Sequence, residues 1–169
     1  MIDLGYGVKL STEIPAEARL WRNNPEIRRW CRQTSLISKE QQESWLESIK
    51  RDPSIQMFGV QTPKGNSVGV AGLTSISMTH RTAEFSLYIA PEFQKNGLGV
   101  LALRTLLGYG FNELGLNNIW GEVLDGNPAL RIFEAVGFVN EGVHRATYYK
   151  DGKTWDSHRI SMLKEEFNK

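Results

Sequence analysis

The amino-acid sequence predicts an α/β (α+β) fold: one central mixed, mostly antiparallel sheet of about seven strands flanked by about four to five helices. Three observations lead there. Strand-like and helical periods alternate around a Gly-rich turn at Gln94-Lys95-Asn96-Gly97-Leu98-Gly99, hairpin patterns flank it, and no linker, repeat or low-complexity tract interrupts the chain. The 169 residues therefore read as one domain, residues 1–169, able to bury about two thirds of the surface that the unfolded chain exposes.

Residues 2–10 read as a short first strand, and residues 15–22 as a helix with Ala16, Ala18, Leu20 and Trp21 available for burial. Asn24-Pro25 starts a second short helix over 26–31, with Asn as the cap and Pro at the first helical position. Ser38 and Gln41 match a capping box, followed by an apolar face of Trp45, Leu46 and Ile49 and a stop before Pro53. Trp21 and Trp45, at helical spacing, read as core residues. The period then changes: residues 55–61, a turn at Pro63-Lys64-Gly65-Asn66 and residues 67–77 form a hairpin, extended to a meander by residues 82–90. Leu98, Leu101, Leu106, Leu107 and Phe111 give the next helix its buried stripe, with Gly115 at its C-cap. Residues 118–124 are a strand, and residues 128–136 a helix stopped by Gly137. Residues 139–149 and 153–163 close as a hairpin through Asp151-Gly152.

A formal net charge of +1, with 40% hydrophobic and 23% charged residues, describes a globular protein with no global field toward nucleic acid. The single cysteine, Cys31, excludes an internal disulfide and reads as a small buried apolar residue. His80, His144 and His158 are too scattered for a zinc motif, so no metal is expected. The N-terminal segment lacks a basic stretch followed by a long apolar run, and no run of about eighteen apolar residues occurs anywhere. No membrane partner is expected, and the cytoplasm is the expected location.

A Gly-rich turn that opens a helix offers free backbone N–H groups and the positive end of the helix dipole, a site for phosphate or pyrophosphate. The spacing Gln-x-x-Gly-x-Gly is followed by no Gly-Lys-Ser/Thr and is shorter than the dinucleotide pattern, so ATP and NAD are poor matches. Other segments accompany the turn: Arg81-Thr82-Ala83-Glu84-Phe85, Pro91-Glu92-Phe93-Gln94, the run Asn127 to Phe138 ending in Val136-Gly137-Phe138, and Glu141-Gly142. Together, in this order and spacing, they resemble the GNAT superfamily of acyl-CoA-dependent N-acetyltransferases over nearly the whole chain. The likeness is nearest to the branch of ribosomal-protein N-terminal, spermidine and amino-sugar-nucleotide acetyltransferases, and Trp21-Arg22-Asn23 looks like the amino-sugar subgroup.

That resemblance implies acetyl-CoA as cosubstrate, with its pyrophosphate on Gln94, Lys95, Asn96, Gly97, Leu98 and Gly99 and its pantetheine arm along Leu87, Tyr88 and Ile89. Asn127 matches the family asparagine after a one-residue shift of the gap, while the same residue also serves as an N-cap for the helix at Pro128. Phe133, in the cofactor-binding set, stands where many relatives carry a proton-donating tyrosine. Tyr148, Tyr149, His144 or a water would then replace that donor, with Tyr148 as the catalytic candidate beside Glu84 as base for the acceptor amine. For the tyrosines a plain strand role competes, and for Glu84 a sheet-surface pairing with Arg81 or a cross-strand lysine. The acceptor is expected on Arg22, Trp30, Glu84 and Trp155, and is an amino sugar nucleotide, a polyamine or a protein N-terminus. The competing reading is a CoA-binding domain of weak or no activity, a sensor or scaffold. A homodimer is left open.

Overall fold

The computed structural model describes residues 1–167. Its centre is an eight-stranded sheet, and six α-helices occur among the described residues. The expected first strand is divided in two, β1 (Ile2–Asp3) and β2 (Lys9–Ser11), which pair antiparallel with each other. The chain reverses between them because Gly5 and Gly7 hold φ of +78° and +92°, a region that ends a strand. That break raises the strand count from about seven to eight.

Three helices follow: α1 (Ala18–Asn23), α2 (Pro25–Arg28) and α3 (Lys39–Ile49). The Asn24 side chain accepts from Glu26 N to start α2, and Ser38 with Gln41 forms the capping box of α3. The meander β3 (Gln56–Gln61), β4 (Ser67–Ser77) and β5 (Thr82–Ile89) is antiparallel throughout. Helix α4 (Leu98–Gly108) passes into a π-helical turn, Tyr109–Glu113, which keeps Phe111 fully buried. Then come β6 (Asn118–Leu124), α5 (Ala129–Val136), β7 (Val139–Lys150), β8 (Lys153–Leu163) and α6 (Lys164–Phe167). The strands lie in the order β1-β2-β3-β4-β5-β6-β8-β7, so the last hairpin inserts its second strand beside β6 and leaves β7 at the edge.

Side chains alternate across the sheet. On one face Leu73, Ala83, Phe85 and Ile119 meet Leu103, Leu106, Leu107 and Phe111 in the main core. On the other, Val70 and Ala90 meet Ala18, Trp21 and Ile27 in a smaller core. Trp21 is thus a core residue as expected. Trp45 is not: α3 buries none of its residues completely, and Trp45 forms the wall of a cavity instead.

Only β5 and β6 run parallel, and they pair over three residues, Thr82–Glu84 with Asn118–Trp120. Beyond them β5 stays with β4 to Ile89 while β6 stays with β8 to Leu124, so the strands part. On the main-core face the Phe85 ring lies over Gly121, packed edge-on to Phe133 at 5.1 Å and tilted against Phe138 at 5.0 Å. A Cβ on residue 121 would land on the Phe85 ring, which its aromatic neighbours keep from yielding. Gly121→Ala should therefore destabilise the protein by about 1–3 kcal/mol. A clear drop in thermal midpoint is expected; an unchanged midpoint would show that the ring moves aside freely.

Candidate active site

Where β5 and β6 part, two carboxylates share one face. Glu84 lies opposite Trp120 in the last paired rung, and Glu122 follows two residues along β6, so their side chains project to the same side. They are 10% and 12% exposed. Arg32, after α2, ion-pairs with Glu84 through both carboxylate oxygens and reaches 3.9 Å from Glu122. The Tyr148 hydroxyl donates to Glu122, His144 Nδ1 stands 3.4 Å from the same carboxylate, and the Arg32 guanidinium lies 5.7 Å from the centre of the Tyr148 ring. Burial, then the hydrogen bond to Glu122, pushes the Tyr148 phenol up to about 12. Tyr148 is therefore a protonated donor throughout the neutral range.

The arginine loop is tied down from β7. Lys150, 4% exposed, donates to the carbonyls of Arg28 at 2.6 Å and Cys31 at 2.9 Å, closing the end of α2 just before Arg32. Burial pulls the Lys150 ammonium below its usual range. Cys31 is half-buried, donates to the Ile27 carbonyl at 3.3 Å and has its thiol pushed up by burial, the profile of a packing residue.

On the opposite side of the parting, β5 offers backbone. Ala90 N donates to Val68 O at 2.9 Å, which turns the even-numbered peptides of β5 toward β4. Phe85, Leu87 and Ile89 accordingly turn theirs the other way: the Phe85 N–H completes the Glu84–Trp120 rung, and Leu87 and Ile89 face the side that β6 has left. Of the three residues expected to line a cofactor arm with their backbone, Leu87 and Ile89 face the gap; Tyr88 does not, because its peptide belongs to the β4 ladder and its hydroxyl donates to Ala18 O at 3.3 Å. Gln94 Nε2 donates to Ile89 O at 2.9 Å, tying the Gly-rich turn to the end of β5. Lys95 and Gly97 hold φ of +64° and +75°, and Gly97 caps α4 with open space where a Cβ would stand. Lys95, Asn96 and Gly97 are exposed, and the N–H groups of Leu98 and Gly99 lie in the first turn of α4, where no carbonyl of the helix can reach them.

Asn127 Oδ1 accepts from Ala129 N at 3.0 Å, the capping role for α5. Phe133 belongs to the aromatic cluster under the gap.

Against the carboxylate face lies a cavity of about 460 Å³, with Arg22, Trp45, Met57, Val70, Ser86 and Tyr88 in its wall. Arg22 stacks over Tyr88 at 5.5 Å, and its Nε donates to Gln33 Oε1 at 3.2 Å. Trp30 stands outside this wall under Arg29, 4.7 Å away. Trp155 also stands outside it, donating from Nε1 to Lys150 O at 3.1 Å opposite Tyr148 in the hairpin. The sequence reading missed Glu122 altogether, and placed Arg32 in a loop on the acceptor side without its pairing to Glu84. Glu122 carries a faint signal, a carboxylate at the same parity as Trp120 in an otherwise apolar strand. It gains meaning only when the parallel register sets it beside Glu84. Arg32 meets Glu84 across 52 positions of sequence, for which no local pattern exists.

Among the described residues no group of three or more His, Cys, Asp or Glu is gathered as a metal site, and no helix is long and apolar enough to cross a membrane. Residues 10–139 match the family model for the acetyltransferase (GNAT) domain. The spermidine N(1)-acetyltransferase of Vibrio cholerae serotype O1 is 30% identical over 146 residues, covering 86% of this chain and 84% of that protein. The ribosomal N-acetyltransferase-like protein YdaF of Bacillus subtilis is 35% identical over 104 residues, covering 61% and 57%. The crystal structure of the Vibrio cholerae spermidine N-acetyltransferase in complex with CoA and spermine superposes with a TM-score of 0.90 at 26% identity, over 96% of this chain and 99% of that one. A parted pair of parallel strands with a Gly-rich turn at its end, a family model over most of the length and a 30% identical relative agree: this chain belongs to the GNAT acetyltransferase family.

Proposed function

We propose that this protein transfers an acetyl group from acetyl-CoA directly to a primary amine. The observation that carries the reading is the parting of β5 and β6, with unpaired β5 peptides on one side and the Glu84–Glu122 pair on the other. The pantetheine arm lies along Leu87 and Ile89 as an added strand, and the pyrophosphate rests on residues 94–99, where Lys95 adds charge. A β5 N–H polarises the thioester carbonyl, a contribution of about 2.7–4 kcal/mol for such donors. That the Vibrio cholerae relative is crystallised with CoA and spermine supports both halves of the reaction.

The acceptor arrives as an ammonium and must lose a proton before it attacks. Glu84, directly or through water, takes that proton, with Glu122 completing the negative end of the site. The neutral amine then attacks the thioester carbon, the tetrahedral intermediate collapses with cleavage of the C–S bond, and the products are the amide and CoA. Tyr148, at about 12, is a weaker acid than a thiol near 8.5, so protonating the departing thiolate from it is uphill. CoA leaves as the thiolate and takes its proton from solvent. Tyr148 is a positioning residue that holds Glu122. Phe133 gives a specific reason for a second reading, a CoA-binding sensor without turnover, because no proton donor stands at that position.

Thiol release from acetyl-CoA against a panel of amines, beside calorimetry of CoA binding, separates the two: turnover marks the enzyme, binding alone the sensor. Gly97→Asp should abolish CoA binding by placing a carboxylate at the pyrophosphate, whereas Gly97→Ala should cost only the strain of a positive φ, about 1 kcal/mol. Equal CoA affinity in wild type and Gly97→Asp would remove the pyrophosphate site from residues 94–99. Glu84→Gln should lower kcat by about 10²- to 10⁴-fold with little change in the KM for acetyl-CoA. For Tyr148→Phe the sign of the pH effect follows from a raised phenol: its hydrogen bond is complete below about 10 and lost only as pH climbs through about 12. Its loss should reduce kcat roughly tenfold while leaving the pH–rate profile between about pH 6 and 10 unmoved. A shifted limb in that window would make Tyr148 the proton donor after all.

A further inference from the structure

We infer that the acceptor is a small primary amine that also bears an anionic group, carboxylate or phosphate, which Arg22 binds in the cavity beneath α3. The inference rests on the acetyltransferase reading and names the substrate class of that same site.

Arg22 is half-buried in the cavity wall, yet no ion pair among the described residues involves it. The contrast with Arg32 and Lys150 is direct: Arg32 sits on two carboxylates, and Lys150 satisfies two carbonyls. Arg22 spends Nε on the neutral Gln33 and a face on the Tyr88 ring, which orient the guanidinium without neutralising it. A planar guanidinium held in this way suits two-point recognition of a carboxylate or phosphate. No other charged residue lines the cavity. Gln33, Gln41, Gln42, Thr74 and Ser86 supply neutral hydrogen-bonding groups, and Trp45, Met57 and Val70 an apolar wall for a carbon skeleton.

The site is therefore dipolar. Its negative end is Glu84 with Glu122, which keep one net negative charge after Arg32 has paired with them, and its positive end is Arg22 over Tyr88. Glu84, Ser86 and Tyr88 follow one another on the same face of β5 in steps of about 7 Å, and Thr74, paired with Glu84, lines the near end of the cavity. A ligand whose ammonium and anion lie on the order of 10 Å apart spans the two ends. A polyamine would lay its distal ammonium against Arg22, a like charge in a partly desolvated cavity.

Specificity ratios on matched acceptors test this: aminohexanoate against diaminohexane, and glucosamine phosphate against glucosamine, with spermidine as the polycation. The wild type should favour the anionic member of at least one pair by roughly tenfold to a hundredfold in kcat/KM, and the pair that responds distinguishes carboxylate from phosphate. Arg22→Gln should erase that preference, Arg22→Lys should keep part of it, and Arg22→Glu should turn it toward diaminohexane and spermidine. Because each ratio compares two acceptors on one protein, a destabilised variant still reports. The inference is overturned if the wild type prefers the polycations, or if Arg22→Gln leaves the ratios as they were. If every amine is acetylated without regard to charge, this inference alone falls; if CoA binds and no amine turns over, the acetyltransferase reading falls and takes the inference with it.

Discussion

Three rungs of parallel pairing, Thr82–Glu84 against Asn118–Trp120, set the geometry on which the rest of this protein depends. Had the two strands stayed together, every β5 peptide would be used within the sheet, and Glu84 and Glu122 would be two surface carboxylates in a closed ladder. Each strand instead follows its antiparallel neighbour, β4 or β8, and the sheet opens as a wedge. Phe85 holds the wedge on the core side by lying over Gly121, with Phe133 and Phe138 behind it. On the other side Arg32 spans the carboxylates. An apolar floor and a charged rim are thus assembled at the point where the backbone becomes available.

The charged rim is held from a distance. Lys150, at the end of β7, binds the two carbonyls that close α2, and Arg32 is the next residue of that loop. Tyr148, two residues earlier on β7, fixes Glu122. One hairpin therefore positions the arginine and one of the two carboxylates, while β5 brings the other. At position 133 the aromatic ring packs under the gap, and the hydroxyl beside the carboxylates, that of Tyr148, comes from another strand and orients Glu122.

Local signals were legible in the sequence where the physics is local. The Ser38–Gln41 capping box, the Asn24 cap, the hairpin at residues 62–66 and the Asp151-Gly152 turn each rest on neighbours within a few positions, and each stands in the structure. The Gly-rich turn was equally readable, since a positive φ before a helix demands glycine. Trp45 was misjudged because helical spacing marks an apolar face and leaves open whether the facing surface is filled or hollow. Tyr88 was placed with its neighbours because β5 was visible but the direction of its alternate peptides depends on which side β4 occupies. Arg32 and Glu122 belong to the class that no window of sequence reveals, contacts created by register.

The open wedge also bears on how the chain avoids sticking to itself. A row of unpaired strand peptides is a template on which other chains add, and most sheets blunt such rows with charge, proline or brevity at the outer edge. Here the row left by β6, along Leu87 and Ile89, lies inside the sheet, with β6 across from it, an aromatic floor beneath and the arginine loop above. An intruding strand has no lateral approach to it, whereas a slender extended molecule can enter along its length. The fold thereby keeps a hydrogen-bonding edge open to a slender ligand and closed to aggregation.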